Sequence, residues 1–195
     1  FIGFDSNQDL KGIEHFSLLY SAVQNQTPLR ITYQDFKTIE PYTYLLHPYY
    51  LKQYNNRWFL FGLHEESMKS DYNVAIDRIV SVEVTNEKFI DTSEIDWQDY
   101  FTDMIGVSKP IDGEIEDVVL HFNPLTGRYM ENKSIHVTQK HKWIDENTFE
   151  VRIKVFLNYE LERLILSYGD SVKVISPVNL QDTIKKRLKA GFQLY

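Results

Sequence analysis

The apolar pattern of this chain changes period at Pro28, and one helix bundle or one uninterrupted sheet cannot satisfy both sides of that change. Leu10, Ile13, Phe16, Leu19, Ala22 and Val23 recur at helical spacing up to about Asn25, and Pro28 stops any continuation. Leu29, Ile31 and Tyr33 then alternate with Arg30, Thr32 and Gln34, the signature of a strand with two unlike faces. Strand-like runs follow at 42–54, 57–63, 73–76 and 80–89. Asn55-Asn56 between two aromatic-rich runs fits a tight hairpin, because Asn tolerates the positive φ such turns need. One helix followed by five short strands predicts a small barrel.

Helical spacing returns at 93–105, with Trp97, Phe101 and Met104 near one face, Ser93 and Asp96 placed as a capping-box-like start and Gly106 as the stop. Beyond Pro110 the order reads strand 118–122, a short helix after Pro124, strands 134–143 and 149–156, helix 159–168, strand 172–175 and a final helix after Pro177. Asn158 and Ser176 sit where N-caps belong, Pro177 where first-turn prolines belong and Gly169 where a helix terminator belongs. This βαββαβ order with a tail helix predicts a ferredoxin-like split βαβ domain. No repeat of solenoid period and no low-complexity tract interrupts it.

The 195 residues allow two small domains. With 43 % apolar residues the chain can bury a core large enough to fold without staples. There is no Cys, which excludes a Cys nucleophile, a thiolate metal site and a disulfide framework, and is the usual composition of cytoplasmic proteins. No run has the length of a membrane span and the N-terminus lacks a signal-peptide layout. The net charge of −7 argues against a surface that grips nucleic acid everywhere, yet it is unevenly placed. Residues 1–109 hold 9 basic and 16 acidic side chains, and residues 110–195 hold 12 of each. The excess belongs to 83–103, a connector where seven carboxylates face only Lys88.

The stretch His47-Pro48-Tyr49-Tyr50-Leu51-Lys52-Gln53-Tyr54-Asn55-Asn56-Arg57-Trp58-Phe59-Leu60, followed by Asp77-Arg78-Ile79, resembles the WYL domain of bacterial transcriptional regulators. The namesake Trp-Tyr-Leu is Trp58-Phe59-Leu60, and Phe59 removes the family hydroxyl. The helix ending at Asn25 and the strand Ile31-Thr32-Tyr33 sit where that family has its leading helix and first strand. Tyr100-Phe101 through Gly106-Val107 resembles the family linker. Ile135-His136-Val137-Thr138-Gln139, Asn158-Tyr159-Glu160-Leu161, Ile165 to Asp170 and Val174-Ile175-Ser176-Pro177 resemble its C-terminal extension domain.

The resemblance implies an α+β chain. A linker and leading helix (1–27) precede an Sm/SH3-like five-stranded β-barrel (28–92), a connector (93–112) and a ferredoxin-like extension domain (113–195). It also implies an N-terminal winged helix-turn-helix that reads operator DNA. Phe1 falls about where the linker from such a domain would end, so the chain reads as the sensor half of a cytoplasmic regulator, with operator DNA a partner only through that further domain. The family is commonly dimeric, and a homodimer is expected by the same resemblance.

Arg57 and Arg78 offer planar forks of donors suited to phosphate or carboxylate. Tyr33 and His47 can add a hydroxyl and a ring nitrogen, and Tyr49 or Trp58 can stack on a base. Together they form a candidate site for an anionic ligand such as single-stranded DNA or RNA or a nucleotide. Spacing alone favours Arg57 and Arg78 pairing with acidic neighbours and Trp58 serving as core. The resemblance favours the ligand reading for Tyr33, His47, Arg57 and Arg78, but not for Trp58. The alternative class is a protein-interaction or dimerisation module without a small ligand.

No catalytic role, cofactor or metal is expected. The Gly-x-Ser-x-Gly elbow, the Walker loop and the dinucleotide fingerprint are all missing. His64-Glu65-Glu66 lacks a second His at i+4. His136 and His141, on a predicted strand, are separated by an odd number and would face opposite ways. Asp96, Asp99 and Asp103 read as a solvated face. Lys185-Lys186-Arg187 with Lys189 can meet nucleic acid or a partner subunit, or simply be the polar side of a helix burying Leu180, Ile184 and Leu188.

Overall fold

The computed structural model describes residues 11–91 and 95–195, so Leu10 and the cap expected at Ser93 lie outside the described residues. The chain divides into two compact units, Phe1–Trp97 and Gln98–Tyr195.

In the first unit a 3-10 turn (Ile13–His15) leads into helix α1 (Phe16–Gln24). Five strands follow: β1 (Leu29–Tyr33), β2 (Tyr42–Tyr54), β3 (Arg57–His64), β4 (Lys69–Ala75) and β5 (Ile79–Val84). They form one antiparallel sheet of order β4-β3-β2-β1-β5. Asn55 and Asn56 both take positive φ, 48° and 57°, so the β2–β3 hairpin closes as their sequence predicts. The expected barrel is not closed by a ladder: β4 and β5 are edges of the sheet. They are nevertheless joined by only the 3-10 turn Ile76–Arg78, so the sheet curls strongly. Register shifts at Thr32/Tyr33, Pro48/Tyr50 and Gly62/His64 supply the bends. Gly62 sits at one of them, pressed against the His47 carbonyl with no room for a Cβ.

Strand alternation gives this sheet two covered faces. Leu29, Ile31, Leu46, Leu60 and Val74 face Leu19 and Ala22 of α1. On the other face of β2 and β3, Tyr50 and Phe61 meet the Trp97 ring at 5.5 and 5.4 Å. The strand expected to run to Phe89 ends at Val84: Thr85 N–H and hydroxyl still donate to the carbonyl of Pro28, which stands opposite in the register, but Pro28 has no N–H to return and the ladder stops there. Phe89 and Ile90 then lie along β2.

Of the helix expected at 93–105, the described residues form α2 (Trp97–Tyr100), ended by a turn in which Thr102 N–H and hydroxyl bond the Asp99 carbonyl. The second unit continues with β6 (Ile115–Phe122), α3 (Pro124–Asn132), β7 (Lys140–Asp145), β8 (Thr148–Phe156), α4 (Tyr159–Ser167), β9 (Val172–Ser176) and α5 (Val178–Phe192). Its sheet is antiparallel with order β7-β8-β6-β9. Asn123 and Asn158 cap α3 and α4, their side-chain oxygens accepting from Thr126 N–H and Leu161 N–H at 2.9 Å each. Gly169 follows α4 at φ 58°. Ser176 is the end of β9 and not a cap; Pro177 takes the N-cap position of α5. Met130, Leu161, Ile165, Leu180 and Ile184 from the three long helices pack on Val118, Leu120, Phe122, Phe149, Val151 and Ile153. All three helices therefore contribute to the core on one face of the sheet. Among the described residues, no helix is long and apolar enough to cross a membrane.

Candidate functional site

β1 presents Tyr33 on the inner face, directly across from Tyr42 of β2, and the next inward pair is Ile31 with Tyr44. The same face gathers Tyr72 of β4 and His64 of β3. Ring centroids lie 5.9 Å apart for Tyr33–Tyr42, 6.3 Å for Tyr33–Tyr44, 5.5 Å for Tyr44–Tyr72 and 4.6 Å for His64–Tyr72. This polar-tipped aromatic nest occupies one end of the curled sheet. Burial pushes the phenols of Tyr33, Tyr42 and Tyr44 up, and the Arg78 charge offsets part of the rise at Tyr33. All three stay neutral in physiological conditions; the Tyr42 hydroxyl donates to Asp35 Oδ2 at 3.4 Å, whereas the Tyr44 hydroxyl has no partner.

Arg78 enters this nest from the turn joining β4 to β5. Its backbone carbonyl accepts from Gln34 N–H at 3.0 Å, which fixes the turn against β1. The guanidinium lies 4.1 Å from the centroid of the Phe36 ring, and its charge reaches the Tyr33 phenol. Arg78 Nε and the Tyr44 hydroxyl are both buried without a hydrogen-bond partner. Buried polar atoms are rarely left so, and an unpaired guanidinium nitrogen and an unpaired hydroxyl are each donors that an anion's acceptor oxygens can satisfy.

The other expected site residues are placed differently. Arg57 is engaged by Asp77: Nε and one terminal nitrogen donate to Oδ1 at 3.2 and 2.8 Å, and the same nitrogen reaches Oδ2 at 2.8 Å. Asp77 is the chain neighbour of Arg78, so Arg57 balances the carboxylate next to the nest. His47 is separated from Tyr42 by five residues of one strand, with the bulge only beyond it, and therefore faces away from Tyr33. It is fully buried, its Nδ1 accepting from Ile90 N–H at 3.1 Å and its Nε2 donating to Glu65 at 2.9 Å. Tyr49 donates to the Ile90 carbonyl at 2.8 Å. Trp58 packs 4.7 Å from the Phe16 ring, against the core. The structure thus brings Tyr33 and Arg78 together, sets Arg57 alongside through Asp77, and uses His47 and Tyr49 to hold the 89–90 segment.

Sequence reasoning missed Tyr42, Tyr44, Tyr72, His64 and Phe36. The signal for the first two was available: period-two tyrosines at the start of β2 must face Tyr33 once β1 and β2 pair as a hairpin. Phe36 had none, since its place over Arg78 depends on the 34–41 loop, where Asp35 accepts from Lys37 N–H and Thr38 N–H. For metals, the premise about His136 changes: β7 begins at Lys140, so His136 lies in a turn, bonded to Thr138 at 2.8 Å, and burial pushes its imidazole pKa down. Among the described residues, no three His, Asp or Glu side chains form a metal-holding group.

Comparison with known proteins agrees with the sequence resemblance. Residues 14–84 match the WYL domain and residues 114–191 match the WCX domain. The chain belongs to the WYL-domain proteins in which a WCX domain follows the WYL domain. No curated protein matches the sequence significantly. Among solved structures, a CRISPR Cas-related protein is similar at 12 % identity and a TM-score of 0.52, over 94 % of this chain and 52 % of that one. Proteasome accessory factor B/C (PafBC) of Arthrobacter aurescens is similar at 13 % identity and a TM-score of 0.40, over 97 % of this chain and 28 % of that one. The chain thus spans about half, or less, of the solved proteins it resembles.

Proposed function

We propose that this WYL–WCX pair is the ligand-sensing part of a cytoplasmic transcription regulator, and that it binds an anionic ligand, single-stranded nucleic acid or a nucleotide, at the tyrosine nest of its first unit. The observation that carries this reading is the Arg78 charge acting on the Tyr33 phenol, together with two buried polar atoms of the same unit, Arg78 Nε and the Tyr44 hydroxyl, that have no hydrogen-bond partner. Arg78 is the ligand's counter-charge, Tyr33 and Tyr44 are donors, and Phe36 and Tyr42 are the apolar walls. Arg57 acts from the rim, by holding Asp77 neutralised. The strand order β4-β3-β2-β1-β5 supports an Sm/SH3-like curl for this unit, and β7-β8-β6-β9 with antiparallel neighbours supports a ferredoxin-like second unit. These are the domains we assign to 28–92 and 113–195, preceded by the leading helix and joined by the connector at 93–112.

Binding rather than catalysis is the role this arrangement serves, since it assembles a cation and neutral hydroxyls but no nucleophile with its base. Signal transfer requires the ligand to prefer one arrangement of the regulator over another, because only differential affinity shifts a population. The test is fluorescence anisotropy with labelled single-stranded DNA at two salt concentrations. The parent chain binds with salt-sensitive affinity and Arg78→Ala loses at least about tenfold, the cost of removing one buried charged contact. Equal binding by Arg78→Ala defeats the proposal.

A second reading, an interaction or dimerisation module, draws on the apolar side chains of Leu188, Phe192, Leu194 and Tyr195 left exposed at the C-terminus. A light-scattering mass of two chains supports it, and a mass of one chain across the micromolar range removes it.

A further inference from the structure

The helix-free face of the second sheet collects positive charge that the pocket reading does not use. Phe149, Val151, Ile153 and Val155 of β8, and Val118, Leu120 and Phe122 of β6, point into the core. Alternation puts Glu150, Arg152 and Lys154, and Asp117, Val119 and His121, on the opposite side. The register adds Lys142 beside Glu150, Lys140 beside Arg152, and Lys173 beside His121. Two rows result, Lys142–Glu150–His121–Lys173 and Lys140–Arg152–Val119, with Lys154 and Asp117 paired below them. Five lysines and arginines thus stand with only two carboxylates, in a chain whose net charge is −7.

Glu150 is the internal counter-ion of this face. Its side chain is 8 % exposed and meets Arg152 Nε at 2.8 Å, His121 Nε2 at 3.2 Å and Lys142 Nζ at 3.7 Å. Lys140, Lys154 and Lys173 are exposed and enter no ion pair among the described residues. Successive side chains on one face of a strand are about 7 Å apart and neighbouring strands about 5 Å apart, so the cations form a flat lattice. The sheet aromatics Trp143 and Phe149 are on the helix side, and Phe156, at the end of β8, already lies under the Lys109 ammonium at 5.5 Å. The face therefore offers charge without a stacking platform.

We propose that this face is a contact surface for the sugar-phosphate backbone of duplex nucleic acid, held by Lys140, Lys142, Arg152, Lys154 and Lys173. A single strand is gripped chiefly by stacking its bases on aromatics, and the rings this face holds among the described residues are already engaged, His121 by Glu150 and Phe156 by Lys109. A duplex hides its bases and displays phosphates, which a flat cationic lattice matches without reading sequence. The contact is independent of the pocket around Arg78 and stands or falls separately.

The experiment uses the whole chain and labelled random-sequence duplex, with a single strand of equal length and polyglutamate as competitors, across a salt series. The parent binds the duplex with a log–log salt slope of about −3 to −4, as expected for three to four neutralised phosphates. Lys140→Glu with Lys154→Glu lowers affinity at least about tenfold and reduces the slope by about 2. The neutral pair Lys140→Gln with Lys154→Gln gives a smaller loss, and Lys185→Glu with Lys186→Glu on α5 leaves affinity within about twofold, as counterion release from contacting cations alone requires. The proposal is overturned if the parent fails to bind at low salt, if the α5 control loses as much as the face variant, or if the single strand or polyglutamate displaces the duplex at equal charge concentration.

Discussion

Arg57 and Asp77 make a two-pronged ion pair, three N–O contacts between 2.8 and 3.2 Å, at the side chain immediately preceding Arg78 in the chain. Both partners are partly exposed, at 38 % and 23 %, so the pair adds under about 1 kcal/mol of stability. Its consequence is electrostatic. Without Arg57, the Asp77 carboxylate stands unbalanced beside the cation proposed to meet the ligand.

Arg57→Ala therefore weakens anion binding through Asp77, and Asp77→Asn in the same chain restores part of the loss. A double-mutant cycle in anisotropy reads this directly: a coupling of about 1 kcal/mol is expected for groups in contact, whereas additive losses mean that Arg57 touches the ligand itself.

His47 is a fully buried clamp, and its tautomer is set by its neighbours. Because Ile90 N–H donates to Nδ1, the ring proton sits on Nε2 and points to Glu65. His47→Ala removes both bonds and leaves a cavity, which costs about 2–4 kcal/mol in denaturant unfolding. The Ile90 amide then exchanges faster than the amides of β1. Wild-type stability in this variant would mean that the 89–90 segment is held by Phe89 and Tyr49 alone.

Gly62→Ala tests the sheet's bend, since its Cβ would meet the His47 carbonyl at the Pro48/Tyr50 register shift. The backbone must move, and a loss of about 2 kcal/mol or more is expected. An unchanged melting temperature would show that the bend yields freely.

Glu150 supplies a pH dependence. Its carboxyl is pushed down to about 2, first by the Arg152 hydrogen bond, then by those of His121 and the charges of Arg152 and Lys142, against the opposing effect of burial. A depressed folded-state value means that its stabilisation is fully present above the unfolded carboxyl range and is lost as pH falls toward about 2. Because Arg152 and Lys142 are mostly exposed, Glu150→Gln costs on the order of 1 kcal/mol at neutral pH. Parent and variant melting curves converge as the pH approaches the folded value; a constant difference across that range contradicts the assignment.

How much of this was legible in the sequence depends on the range of the interaction that decides each feature. Local chemistry was readable: Asn55-Asn56 closes its hairpin, Asn158 caps α4, and the alternation of Leu29, Ile31 and Tyr33 gives the buried face of β1. Features set by distant partners were not. The strand predicted to reach Phe89 stops at Val84 because Pro28, opposite Thr85, offers a carbonyl but no N–H, and Ile90 finds His47, both far away in the chain. The grouping of His47 with Tyr33 came from their hydroxyl and ring nitrogen and from the family resemblance; only strand parity separates them. Tyr42 and Tyr44 carry the right period, but which face of the sheet they share with Tyr33 is fixed only once β1 and β2 are paired.

The proposed ligand supplies the partner that Arg78 Nε lacks. In a nitrogen–proton correlation spectrum, the Arg78 Nε–H resonance, identified by its loss in Arg78→Lys, should shift saturably as a single-stranded oligonucleotide is added, along with the Tyr33 and Tyr44 ring signals. Saturable binding that leaves the Arg78 Nε–H and both tyrosine rings where they began would contradict it.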